Sequence, residues 1–471
     1  LYELGGYIWH NESADEQAET EGPEEAKEIR IVGSTSVTYF PTHAKTNPEI
    51  PEAVVCDFPE IAEWIWPPKD QSAIRASLTA HINRRAPSGV PETGALAAAT
   101  EKIFQQYPKT PIPPWFAGAT LDIRALATEI YDQIDFQVNQ NSGPGVPLKQ
   151  LADTNKLLLK NPQFIVECVI DRIQALLELD ISEDPCENVR KGLCDVVRAF
   201  TKDEPHAKIK ILQERWRLVM SVPLVDQLID RLLCTIQNKQ EIAQHHFIPS
   251  QPGIGFDDVQ LILLKSRVMK LCNNDLSKVA SGDVTGYDWS IQKWEHIWEA
   301  KMRARLMGAQ PGSIAYRLLL ARAELISHPV FALPNGKLFT LPFTIQLSGL
   351  FNTSSSNSRI RVLLAYLAGS QWAIAMGDDC LEERVEGAVE KYRALGHPLK
   401  FYTINKDKFS FCSQEFPADR LAYPENVSKT LFRYLSAKAC DERNYQLSCE
   451  VRNHPLALNI ELMLKAPARF V

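Results

Sequence analysis

The stretch WAIAMGDDCLEE, residues 372–383, constrains the fold more than any other part of the chain. An apolar run ends in Gly377, Asp378 and Asp379, and a second run with apolar positions follows at once. Extended runs parted by Gly and Asp read as strand, turn and strand. Such a hairpin needs an antiparallel sheet to sit in, and it lifts two adjacent carboxylates to the end of that sheet. Neighbouring carboxylates repel, and burying either without a partner is costly. A bound cation resolves both problems, but so does a plain exposed turn. Gly-Asp-Asp arises by chance in on the order of one in ten chains of this length, so the hairpin needs company before it carries chemistry.

Company lies upstream. In GDVTGYDWS, Asp283 ends an apolar-leaning stretch and Asp288 follows it closely. An Asp at the end of one strand beside the Asp pair of another makes a nest of carboxylates suited to hard divalent cations. Two such ions clamp the attacking and leaving oxygens in phosphoryl transfer. Asp288 alone also reads as an acid favoured by the dipole at a helix start. In SGLFNTSSSN, Ser348 and Gly349 precede a helix on which Thr353 and Asn357 are i, i+4 neighbours; the same residues read equally as helix caps. Gly349 is expected at a backbone bend that other residues tolerate badly. In KDEPHAKIKILQERWRLV, Lys202, Lys208, Lys210, Arg215 and Arg217 surround His206, and Lys208-Ile209-Lys210 predicts one face of a strand. Converging cations hold a triphosphate, although a solvated basic edge strand has the same pattern.

The surrounding sequence alternates strand and helix, a mixed α+β pattern. Residues 278–308 predict a strand, a turn and a helix capped by Ser290, striped by Trp294, Ile297, Trp298 and Met302, and ended by Gly308. The helix after SGLFNTSSSN should stop at Gly369. Asn161 and Pro162 should open another helix, with Val166, Val169, Ile170, Ile173 and Leu177 on its apolar face. KFYTINKDKFSFCSQEF offers two short strands, and the last 55 or so residues read as helical. No uninterrupted apolar run of roughly 18 residues occurs, so no bilayer-spanning helix is expected. Ten scattered cysteines with no CxxC argue against zinc and against a disulfide framework, and point to a reducing compartment. The chain opens at Leu1, which points to proteolytic release, trimming or a start not included.

Net charge is −7, a weak argument against a nucleic-acid partner. Residues 11–28 hold eight acids and one base, −7 by themselves, so the remainder is neutral. That block should be a solvated, mobile arm. A neutral body leaves room for a basic channel.

In chain order there stand a Gly/Pro loop (NSGPGVPLK), the basic stretch, Asp283 with Asp288, SGxxxTxxxN, Gly-Asp-Asp and a Lys-bearing hairpin. This ordered set resembles the RNA-dependent RNA polymerases of positive-strand RNA viruses over roughly residues 140–415. It is most similar to the sobemovirus-like group, through DVTGYDWS and the Trp-rich helix after it; the basic stretch resembles the picornavirus-type fingers motif at most positions. The resemblance implies an α+β, closed right-hand polymerase of fingers, palm and thumb, with an antiparallel palm sheet flanked by helices. Residues 1–220 would form an N-terminal segment and fingers, 221–275 palm and fingers, 276–415 palm with a fingers insertion at about 310–340, and 416–471 a short thumb. The implied function is template-directed RNA synthesis that replicates a viral genome by two-metal nucleotidyl transfer. A reverse transcriptase and an inactive RNA-binding replication scaffold are the alternatives. Reverse transcriptases typically place a bulky aromatic where Asp288 stands, and Asp283, Asp378 and Asp379 are all intact.

Residue by residue, the resemblance implies that Asp283 and Asp378 hold two Mg2+ ions, which Mn2+ can replace, with Asp379 supporting them less directly. Asp288, Ser348, Thr353 and Asn357 would read the ribose, and Gly349 among them would belong to the nucleotide-binding set. Lys202, Lys210, Arg215 and Arg217 would line the nucleotide channel, with Arg217 at the triphosphate. His206 stands where relatives often carry Arg, which would make its role pH-sensitive. Lys408 matches the lysine proposed as general acid to pyrophosphate, with Lys406 the close alternative. Gly145 and Pro147 resemble the template-guiding loop, and residues 409–413 the primer-grip hairpin. The implied partners are RNA template and product, nucleoside triphosphates, a genome-linked viral protein and other replication proteins, in a replication complex of the host cell cytoplasm.

Overall fold

The chain is described by a computed structural model covering residues 1–10, 29–40, 43–438 and 440–465; the acidic residues 11–28 lie outside the described residues. Its centre is a four-stranded antiparallel sheet in the spatial order Ala373–Met376, Asp379–Glu383, Val279–Val284, Leu399–Ile404. The first two strands are the hairpin that the opening stretch requires. Alternation along them explains why the run is apolar throughout. Ala373, Ala375 and Cys380 pack with Ile360, Leu363 and Leu364 of the helix Thr353–Ala368. Ile374 and Leu381 point the other way, onto Leu261, Leu264 and Val268 of the helix Asp258–Leu271 and onto Phe409, Phe411 and Phe416. A sheet covered on both faces needs apolar residues at odd and even positions alike.

A six-stranded sheet runs Ile8–Trp9, Arg30–Ser34, Lys337–Thr340, Phe331–Ala332, Val197–Thr201, Leu218–Ser221. It draws residues 331–340 out of the middle of the chain to join strands from the N-terminal half. A third contact closes the molecule. The strand Trp64–Ile65 pairs with His206–Ala207 in the basic stretch. Val54, Phe58, Ile61 and Trp66 share a core with Val427, Leu431, Phe432, Leu447 and Val451. The Trp64 and Trp66 indole N–H groups donate to Ser428 Oγ (3.1 Å) and Ser436 Oγ (2.9 Å). Residues 54–66 therefore clasp the C-terminal helices Val427–Leu435 and Asp441–Val451 to the basic stretch.

Several local expectations shift. The helix Lys293–Leu306 is capped by Gln292 in a capping box with Glu295, not by Ser290. Ser290 is buried and bonds His397 Nδ1 (2.7 Å) instead. The helix Gln163–Glu178 starts one residue past Pro162. Lys208–Leu212 is a short helix rather than a strand. The reason is the edge beside it: Trp64–Ile65 offers two residues of pairing, and past them the backbone must satisfy its own polar groups. KFYTINKDKFSFCSQEF forms three strands, Leu399–Ile404, Lys408–Phe411 and Gln414–Pro417. Among the described residues no helix is long and apolar enough to cross a membrane.

Candidate active site

The hairpin register pairs Met376 with Asp379, so Gly377 and Asp378 are its two-residue turn. Gly377 has φ +64°, a left-handed conformation that glycine adopts without the strain a side chain brings. The strand after the turn pairs Cys380 with Gly282, which carries Asp379 opposite Asp283 at the end of Val279–Val284. Asp283 and the adjacent pair Asp378 and Asp379, far apart in sequence, thus converge at one end of the sheet.

Their electrostatics follow from that crowding. Burial, then the charges of Asp378, Asp283 and Glu425, push the Asp379 carboxyl up to about 7; a backbone bond from Cys412 only partly offsets them. Asp378 is raised by burial and by Asp283, with Arg217 and Arg361 opposing. Asp283 Oδ2 accepts from Lys400 Nζ at 2.8 Å. Lys400 stands out in no motif, because its sequence neighbours are apolar, but the start of its strand lies beside Asp283. Among the described residues no three His, Cys, Asp or Glu side chains are already drawn into a metal cage. The donor set nonetheless fits a hard cation: oxygen-only, acidic, and mutually repelling until opposite charge is supplied.

Asp288 sits in the short helix Tyr287–Ser290. Its Oδ1 accepts from Asn357 Nδ2 at 3.0 Å, and Tyr287 Oη donates to the Asn357 carbonyl at 2.9 Å. Burial and Asp378 raise Asp288 to about 6, against the pull of Asn357 and Arg217. Asn357 Oδ1 is buried with no hydrogen-bond partner. Ser348 and Thr353 do not join this pair. Ser348 Oγ accepts the Met220 N–H (3.1 Å), and Thr353 Oγ1 donates to the carbonyls of Leu347 and Leu350 (both 2.9 Å). They shape the loop ahead of the helix Thr353–Ala368. Gly349 sits in the turn closed by the Leu350 N–H on the Leu347 carbonyl (3.1 Å), so the expected bend is there; its φ is not left-handed, and glycine is needed because a Cβ there would lie 2.4 Å from the Met220 carbonyl oxygen.

The basic stretch faces the acids. Burial works against the Arg217 charge, but Glu204, Asp378 and Asp288 outweigh it and raise its pKa. Lys210 is lowered by burial and by the charges of Lys400, Arg217 and Lys429. Glu204 ties the wall together, pairing with Arg217 (3.1 Å) and Lys202 (3.4 Å). Arg215 projects to the same side chain cluster as His81 and Arg84. Lys429, on the helix Val427–Leu435, joins the wall from the far end of the chain, over the Trp64 ring. Sequence reading had no route to it. His206 is not a switch near neutrality: it accepts the Arg217 N–H at Nε2 (2.9 Å), bonds the Glu204 carbonyl through Nδ1 (2.8 Å), and burial lowers it to about 4.

Lys408 lies in the strand Lys408–Phe411 with its ammonium on Glu415 (2.9 Å), and Lys406 is exposed just before it. Residues 409–413 do form a hairpin arm. Its turn, Cys412 and Ser413, has φ of +52° and +57° without a glycine and abuts Asp379. Gly145 packs at Pro223, where a Cβ on it would meet Pro223 Cα at 2.8 Å; Pro147 follows two residues later, after a cis peptide bond.

An acidic turn facing a wall of cations is the layout of a phosphoryl-transfer centre. The chain belongs to the viral RNA-directed RNA polymerase family, whose match spans residues 59–424. It is 35% identical over 461 residues to the replicase polyprotein P2AB of Southern bean mosaic virus, covering 93% of this chain and 45% of that protein. The same polyprotein of Cocksfoot mottle virus is 35% identical over 457 residues, covering 93% and 46%. The RNA-directed RNA polymerase of Mushroom bacilliform virus is 35% identical over 376 residues, covering 72% of this chain and 89% of that protein. The chain spans less than half the length of the two polyproteins. The family implies a right-hand polymerase fold and divalent-metal chemistry.

Proposed function

We propose that this chain copies an RNA template from nucleoside triphosphates by two-metal nucleotidyl transfer, as the polymerase of a viral replication complex in the host cell. The observation that carries the reading is the meeting of Asp283, Asp378 and Asp379 at the end of one antiparallel sheet, opposite Arg217 and Lys210. The four-stranded sheet is then the palm. The six-stranded sheet, including residues 331–340, belongs to the fingers, and the helices after residue 426 form the thumb. The clasp of residues 54–66 on those helices supports a closed hand.

Asp283 and Asp378 would hold the metals, Mg2+ in the cell and Mn2+ as substitute, with Asp379 alongside. Bound there, the ions supply Lewis-acid activation of the primer 3′-hydroxyl and countercharge for the leaving pyrophosphate. Lys202, Lys210, Arg217 and Lys429 bind and orient the triphosphate. Asp288 and Asn357 read the sugar: the unpartnered Asn357 Oδ1 is an acceptor awaiting a donor, and a ribose 2′-hydroxyl is one. This favours RNA over DNA synthesis. For the proton to pyrophosphate Lys400 is better placed than Lys408, since it touches Asp283 while Glu415 holds Lys408. The RNA runs past Gly145 and Pro147 on the template side and past residues 409–413 on the product side. Other products of a polyprotein, including a genome-linked protein, are the expected partners.

The test is incorporation of labelled ribonucleotides on a primed homopolymer. Asp378→Ala should abolish it in Mg2+ and leave RNA binding near wild type. Undiminished incorporation by that variant would refute the metal assignment.

A further inference from the structure

Behind the acidic turn lies a group that none of the chemistry above uses. Arg361, on the helix Thr353–Ala368, is 0% exposed and among the largest fully buried side chains of the protein. Its Nε donates to the carbonyl of Asp378 (3.3 Å) and its Nη2 to the carbonyl of Gly282 (3.5 Å). Its Nη1 reaches Tyr392 Oη (2.5 Å) and Glu382 Oε2 (3.4 Å), and Tyr392 Oη donates to the same Glu382 oxygen (2.5 Å).

The two carbonyls are the telling contacts. One belongs to Asp378 itself; the other belongs to the residue before Asp283. Side chains alternate along a strand, so position 282 faces Arg361 while Asp283 faces the opposite side. A planar guanidinium thus holds the hairpin turn and the end of the Val279–Val284 strand from behind while the carboxylates project in front. Position 282 is suited to this, because a Cβ there would lie 3.0 Å from Arg361 Nη2. One helical turn earlier, Ser358 Oγ accepts the Gly377 N–H at 2.9 Å, so the same helix face grips the hairpin a second time. Glu382 and Tyr392 fix the far edge of the fork, as the partners of a rigid bidentate group do.

Resting on the two-metal reading above, we propose that Arg361 is a positioning residue which sets the spacing between Asp283 and Asp378, and so the affinity of the site for its metals. Supporting groups of this kind are worth ~10–100-fold in metal affinity. A purely structural buried ion pair with Glu382 is the rival, and it predicts lost stability without a change in metal affinity.

Mn2+ binding to the full chain, read by electron paramagnetic resonance, separates them, with melting temperature measured in parallel. Arg361→Lys keeps the charge but cannot fork between two carbonyls; it should weaken Mn2+ binding ~10-fold or more. Gly282→Ala displaces the guanidinium with no change of charge and should do the same, which keeps the test decisive if Arg361→Lys fails to fold. Glu382→Gln keeps an acceptor oxygen for Arg361 Nη1 and Tyr392 Oη, so the fork stays in place; it should lower the melting temperature through the lost ion pair yet hold Mn2+ affinity within about twofold of wild type. Wild-type affinity in a folded Arg361→Lys or Gly282→Ala protein overturns the inference, as does a parallel loss of stability and affinity in Glu382→Gln. Asp283→Asn is the control on the reading beneath it: if Mn2+ uptake survives that change undiminished, the metal site itself is misplaced and both fall.

Discussion

Proton competition for the acidic turn gives the most quantitative expectation. Asp379 holds its proton up to about 7 because burial, Asp378, Asp283 and Glu425 all oppose its charge. A metal takes the carboxylate form, so binding must displace that proton at low pH. For one group with a pKa of about 7, the fraction protonated falls from about nine-tenths at pH 6 to about one-tenth at pH 8. Apparent metal affinity should therefore rise ~10-fold across that interval. The sign for stability is opposite in the metal-free protein. A carboxyl raised from 3.8 contributes stability at low pH that is lost as pH rises through about 7. Bound metal restores what ionisation removes, so the metal-induced rise in melting temperature should be larger at pH 8 than at pH 6. Calorimetric titration with Mg2+ or Mn2+ at pH 6, 7 and 8 measures the first effect and thermal melts the second. Asp379→Asn removes the titrating group: overall affinity should fall, and the pH slope should flatten. A pH-independent wild-type affinity, or an undiminished slope in Asp379→Asn, would refute the argument.

Three further outcomes follow from particular contacts. Asn357→Ala removes both the Asp288 partner and the unpartnered acceptor; competition assays with ribo- and deoxyribonucleotides should show reduced preference for ribose, and an unaltered ratio would sink the sugar-reading role. Gly349→Ala drives a methyl to 2.4 Å from the Met220 carbonyl, which should cost ~1–3 kcal/mol in denaturant unfolding; wild-type stability would show that the loop gives way. Phe432→Ala empties the clasp core, where Phe432 is 1% exposed; a loss of ~3–5 kcal/mol is expected, together with faster proteolysis between residues 43 and 70, and equal protease resistance would show that this core does not hold the clasp shut.

The hairpin was legible because its own residues enforce it. Gly377 supplies the turn, and the apolar positions on either side admit burial on both faces. The helix ending at Gly369 was legible for the same reason, its stop written as a left-handed glycine. Legibility fails where the deciding partner lies elsewhere. Lys208–Leu212 has the alternation of a strand but lacks an edge to pair with, a fact set by the two-residue length of Trp64–Ile65. Gly349 reads as a bend and lies in one, but what demands glycine is the room left for the Met220 carbonyl, a partner far away in the sequence.

The site divides along the same line. Asp283, Asp378 and Asp379 were readable because order and spacing survive in the chain, whereas Lys400 and Lys429 were not, since each reaches the centre from a stretch with no pattern of its own. His206 shows the converse error. Its type promised a titratable group, but two backbone bonds and burial commit it to the neutral form. Residue identity names what chemistry is available at a position. Which of those chemistries is used depends on the groups brought against it from other strands, and in this protein that choice is made by the registers around Asp283.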